Sequence, residues 1–152
     1  MGSFIKSKIV LEIEQIDRHI NESKHIIAYC INNEPNYIEK SGLAMILHSF
    51  YHGVELVLLM IIKDKDTYKL EEHRWHKFIY NKAFEDTETR TQILRDELKE
   101  ILKNLMNFRH LARNSYAYNY DWNKMKNLVL QLESTWDIVK QDLNNFLEVH
   151  YE

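Results

Sequence analysis

A chain of 152 residues with three Gly, one Pro and one Cys excludes a disulfide scaffold and a collagen-like repeat, and it disfavours a turn-rich β architecture. Hydrophobic residues make up 45% and charged residues 28%, a globular balance long enough for one substantial core. The formal net charge of −3 argues against an evenly basic nucleic-acid coat but leaves room for a local basic patch.

The predicted elements are helical throughout. From Ser3, a plausible N-cap, to Ile31, apolar residues recur at Ile5, Ile9, Ile13, Ile16, Ile20, Ile27 and Ile31, with helical steps. Asn32 to Pro35 reads as a turn, because proline disfavours helix at the residue before it. The second segment, Tyr37 to Ile62, is apolar on most sides, the pattern of a helix central in a bundle. Within it, Gly42 and Gly53 would let another backbone come close. Its most apolar run, Val54 to Ile62, is too short to cross a bilayer as a helix, and no signal-peptide pattern is expected at the N-terminus.

Lys63 to Lys69 reads as a loop, and Glu72 to Phe84 as a short helix with Trp75 and Ile79 on its apolar side. Glu85 to Thr91 is a polar break offering Asp86, Thr87 and Thr89 as N-caps. A long helix is predicted from Ile93 to an end between Arg113 and Tyr118. Asp121 then caps a last helix, Trp122 to Leu147, with Met125, Leu128, Val129, Leu132, Trp136, Val139, Leu143 and Phe146 on one stripe. The expectation is one all-α domain over residues 1–152, a bundle of four long helices plus one short helix.

Chemistry concentrates from Phe108 to Trp122, F-R-H-L-A-R-N-S-Y-A-Y-N-Y-D-W, at the end of a helix and in the turn after it. This segment resembles the late motif of the HepT-type HEPN ribonuclease toxins, R-x4-H-x-Y, with Arg109, Asn114 and Tyr116 at the three positions. Two earlier segments fit the same resemblance in order: Phe50 to Glu55 (F-Y-H-G-V-E), and Arg74 to Lys77 (R-W-H-K) before the long helix. The resemblance implies an antiparallel HEPN bundle acting as a homodimer. The implied activity is a metal-independent endoribonuclease without cofactor, in which the RNA 2′-hydroxyl attacks the adjacent phosphate.

On this resemblance Arg109 binds phosphate, with His110 and Arg113 beside it as RNA contacts, and residue 114 is the acid/base position. Arginine suits phosphate oxygens because its donors form a fixed fork. Histidine would suit the proton transfer, but Asn114 cannot titrate, so a weak or inactive nuclease is expected. Tyr116 is the implied target of adenylylation by a minimal nucleotidyltransferase (MNT-type) antitoxin, with Tyr118 and Tyr120 as alternatives. RNA, as tRNA or mRNA, is the implied substrate, in a prokaryotic cytoplasm and without a membrane. The alternative is a catalytically dead HEPN dimer that binds protein or RNA.

Other features have plainer readings. Arg109 and Arg113 also suit a solvated helix end, where cations complement the dipole. His48, His52 and Glu55 share a helix face at i, i+4, i+7, which is better read as packing than as metal ligation, and Glu55 is placed to orient Arg109. Trp75 and His76 read as a core anchor and its edge. No nucleotide-binding fingerprint is visible, which makes this chain a target of nucleotide transfer and not its catalyst.

Overall fold

The computed structural model describes residues 2–66 and 75–152, and 83% of these residues are helical. Among the described residues six α-helices form, and no strand: α1 (Gly2–Asn32), α2 (Tyr37–Lys65), α3 (Trp75–Ala83), α4 (Lys99–Asn114), α5 (Trp122–Leu130) and α6 (Leu132–His150). The all-α expectation therefore holds, with one helix more than predicted.

In α1 the isoleucine stripe is buried at Ile9, Ile13, Ile16, Ile20 and Ile27, and Cys30 continues it while Ile31 faces out. Ser3 lies inside α1 and is not its cap. A capping box opens α2. Glu39 N–H donates to Asn36 Oδ1, and Asn36 N–H donates to Glu39 Oε1, both at 2.9 Å. Leu43, Leu47, Phe50, Val54, Leu58 and Ile61 then recur at steps of three and four and are all buried. Each such side chain contributes roughly 1.5–3 kcal/mol by leaving water. By length and composition α2 could cross a membrane, a test the nine-residue run read from sequence did not meet. Here it packs against α1, α3, α4 and α5, as the central helix of a bundle does. A Cβ on Gly53 would stand 2.8 Å from Ile16 Cγ1, so this glycine sets the α1–α2 approach, whereas Gly42 faces open space.

The largest departure from the sequence pattern lies between α3 and α4. Ile93 to Leu98 was expected as helix. Instead Ile93 and Leu94 are adjacent buried residues whose N–H groups both donate to Ala83 O, at 3.1 and 3.0 Å. The N–H of Gln92 goes to Asp86 Oδ1 at 2.7 Å and that of Arg95 to Asp142 Oδ2 at 2.9 Å. Tertiary acceptors thus satisfy the donors that a helix would have used. A 3-10 turn, Asp96–Leu98, leads into α4, and none of Asp86, Thr87 or Thr89 caps it.

Arg90 holds this segment down. Its guanidinium donates to both Asp66 carboxylate oxygens, at 2.8 and 2.9 Å, and to the carbonyls of Lys82, Glu85 and Thr91. The Arg90 side chain is fully buried and that of Asp66 is 5% exposed.

Asp121 caps α5 as expected, accepting from Asn123 N–H at 3.0 Å. The predicted last helix is divided at Gln131, which ends α5 and precedes α6. Buried positions Leu128, Leu132 and Trp136 keep helical spacing across the break, so periodicity alone could not reveal it. On α6, Trp136 Nε1 and Lys140 Nζ donate to the two oxygens of Asp17, at 2.6 and 2.5 Å, fastening α6 to α1. Phe50 meets Trp136 edge-on, with ring centroids 6.0 Å apart.

Candidate functional site

The packing of α2, α3 and α4 brings together one side chain from each. Glu55, on α2, is 1% exposed. Its Oε1 accepts from Arg109 Nη1 on α4 at 3.2 Å, and its Oε2 lies 2.8 Å from His76 Nδ1 on α3. Arg109 Nη1 also lies 3.1 Å from His76 Nδ1. One nitrogen cannot donate to a carboxylate and accept from a guanidinium at once. The shorter, charged contact decides: Nδ1 carries the proton and donates to Glu55. The contact with Arg109 is then two donors converging on one carboxylate.

A pocket of about 450 Å³ opens over this cluster, lined by His76, Lys77, Met106, Asn107, Arg109, His110 and Arg113. Among the described residues its charged lining is cationic, and Glu55 is not part of it. The chain's net negative charge is therefore no guide to the potential here. Arg109 is held with its side chain 12% exposed, and its Nε–H is buried without a hydrogen-bond partner among the described residues. A buried unsatisfied donor costs about 1–3 kcal/mol.

Neighbouring histidines feel the same cations. His48 and His52 on α2 stack with centroids 6.3 Å apart. Burial pushes the His48 imidazole below its ordinary range, and the charges of Arg109, His52 and Arg113 push it the same way against Glu55. Both oxygens of Glu55 are engaged by Arg109 and His76, so the His48–His52–Glu55 face does not act as one ligand set.

Of the residues singled out from sequence, Arg109, His110 and Arg113 come together in this pocket; Asn114 and Tyr116 do not line it. Asn114 is exposed and donates through Nδ2 to His110 O at 2.8 Å, closing the last turn of its own helix. Five residues separate it from Arg109, which places it about 140° around the helix. Tyr116 is 73% exposed and stacks on Tyr118, centroids 5.6 Å apart and nearly parallel. Tyr120 is partly buried and donates to Ala112 O at 3.1 Å, so of the three tyrosines it is the one used in packing.

The orienting contact of Glu55 on Arg109 is as expected from sequence. His76, read from sequence as a structural edge, has its ring against Glu55 and Arg109. The Trp75 ring lies tilted against it, with centroids 3.7 Å apart. No local signal could have assigned His76, since its partners lie 21 and 33 residues away on other helices. Arg74, which shared the R-W-H-K segment, and residues 72 and 73, expected to open the third helix, lie outside the described residues.

The family model for the HepT-like protein matches residues 42–150, from the second turn of α2 to the last residue of α6. No curated protein and no solved structure matches the chain. The family match spans well over half of the chain and coincides with an all-helical bundle, so this protein belongs to the HepT-like family of HEPN proteins.

Proposed function

We propose that this chain is an RNA-binding HEPN protein of the toxin type, with metal-independent endoribonuclease chemistry centred on Arg109 and a rate lowered by Asn114. The observation that carries the reading is the cationic pocket in which the Arg109 guanidinium, steadied by Glu55, lies with Lys77 and Arg113. Such a group is suited to a phosphodiester, whose oxygens accept from fixed donors and whose charge grows as the phosphorus is attacked. His110 and Arg113 extend the cationic lining for adjoining phosphates. The HEPN family is broadly ribonuclease-related, and HepT-like members broadly pair with an antitoxin and form dimers. A homodimer would set two such pockets near each other. tRNA and mRNA are the substrates to test.

Tyr116 fits the part of modification site by its exposure. A minimal nucleotidyltransferase antitoxin could reach its hydroxyl, and an added adenylyl phosphate would put negative charge beside the motif.

A second reading is a catalytically dead dimer that holds RNA or a partner protein. Asn114 favours it, because it has no titratable proton and is hydrogen-bonded to its own helix outside the pocket.

The experiment is cleavage of purified tRNA and of an mRNA transcript in EDTA by this chain, by Asn114→His and by Arg109→Ala. The nuclease reading expects Asn114→His to cut about 100- to 10,000-fold faster than the chain as it stands, and Arg109→Ala to cut no RNA. If Asn114→His is also inert while RNA is retained through Arg109, the binding reading stands. If Arg109→Ala leaves RNA retention at low salt unchanged, the nucleic-acid assignment fails.

A further inference from the structure

We infer that the Glu55–His76 pair is a second acid/base device in the Arg109 pocket, able to move the proton that Asn114 cannot; the inference rests on the RNA-cleavage reading and deepens it.

The geometry carries it. With the Nδ1 proton on Glu55 at 2.8 Å, the neutral imidazole has one tautomer, and its lone pair is on Nε2. This is how a buried carboxylate holds a catalytic histidine ready to accept a proton. Glu55 is fixed by its burial and by Arg109, and the Trp75 ring lies against the imidazole, so the orientation is held from two sides. The His76 side chain is 30% exposed and lines the same pocket as Arg109, so base and anion anchor address one ligand.

The other candidates are less well placed. His110 is exposed, with no carboxylate partner to its ring among the described residues; Asn114 lies outside the pocket, and His48 and His52 stack on each other. Among the described residues, the charged and titratable groups that touch His76 or line its pocket are Glu55 from α2, Arg109, His110 and Arg113 from α4, and Lys77 on its own helix.

The step balances without a metal or co-reactant. His76 Nε2 takes the 2′-hydroxyl proton as the O2′–P bond forms, with the phosphate oxygens on Arg109. The P–O5′ bond breaks, and the departing 5′-oxygen takes a proton from the imidazolium or from water. The products are a 2′,3′-cyclic phosphate and a 5′-hydroxyl. Glu55 acts here through His76 as a positioning residue.

The test is cleavage of 5′-labelled tRNA and mRNA transcripts in EDTA by the chain itself, His76→Gln, His76→Ala with and without added imidazole, and Asn114→His with and without His76→Gln. Melting curves and RNA retention are recorded for each. The expected result is slow cleavage by the chain itself, leaving cyclic phosphate ends. His76→Gln should lower it about 100-fold or more with retention unchanged, and imidazole should restore cleavage to the folded His76→Ala protein. Cleavage by the chain that is indifferent to His76→Gln overturns the inference and leaves the nuclease reading intact. So does cleavage confined to Asn114→His and insensitive to His76, or a loss that imidazole does not rescue. Absence of cleavage in every protein, Asn114→His included, overturns both.

Discussion

Two arginines in this molecule, one fully buried and one partly exposed, each meet a buried carboxylate, and they differ in how completely they are satisfied. Arg90 places every nitrogen on an acceptor: two bonds to Asp66 and three to backbone carbonyls. Arg109 places one nitrogen on Glu55, shares that carboxylate with His76, and keeps its Nε–H unsatisfied beside an open pocket. The fully buried arginine and the partly exposed one thus serve opposite ends. A guanidinium whose donors are all spent can only hold the fold together. One that lines a cationic pocket and gives a single bond to a carboxylate is equipped to hold an anion there.

The largest effect that could break this comparison is on stability. Arg90→Met strands Asp66 without its partner and should cost about 3–5 kcal/mol in urea unfolding. Arg109→Met should cost only about 1–2 kcal/mol, because Glu55 keeps His76 as a donor and an unsatisfied N–H is removed with the side chain. Equal losses would mean that both arginines are structural. Binding should show the reverse order. At a temperature where both variants are folded, Arg109→Met should weaken RNA retention at low salt roughly ten- to a hundredfold, while Arg90→Met leaves it unchanged. A filter-binding titration across salt concentrations separates the two outcomes.

The smallest effect is a pH dependence with a contribution near each arginine. Burial lowers His48 and the charge of Arg109 adds to it; burial lowers His150, and the charges of Lys65 and Arg90 add to it. His150 Nε2 also accepts from the Thr91 N–H at 3.3 Å, which requires its lone pair. A histidine held below its unfolded value of about 6.5 takes up its proton more readily in the unfolded chain. Its stabilising contribution is therefore complete above that pH and is lost as pH falls toward the folded value. Burial raises the Asp17 carboxyl, but the bonds from Lys140 and Trp136 outweigh that, and it titrates below its ordinary 3.8, outside this window. Urea midpoints at pH 7.5 and 5.5 should fall modestly with acid. Each Arg→Met variant should flatten only the contribution of its own histidine, and an unchanged midpoint would remove that coupling.

Much of this architecture is legible along the chain. Isoleucine spacing marks α1, the all-round apolar pattern marks α2 as central, and Asp121 announces the start of α5. The misread stretches are those where distant groups took over the backbone. Ile93 and Leu94 sit within a helical pattern, yet Ala83 O, ten residues back, claims both of their N–H groups. The break at Gln131 is invisible for another reason: the apolar stripe runs through it in register.

The sequence by itself determined the helical class, the central place of α2 and the basic, tyrosine-rich end of α4 with Asn114 in it. These follow from side-chain chemistry and spacings of three and four residues, which are properties of neighbours in the chain. Only the tertiary structure decided that His76 shares Glu55 with Arg109, that Asn114 turns to its own helix, and that Arg90 is spent while Arg109 is not. Those distinctions depend on which donors and acceptors meet when helices 21 to 54 residues apart in sequence are packed together. A buried polar group takes its role from the partners that packing leaves it.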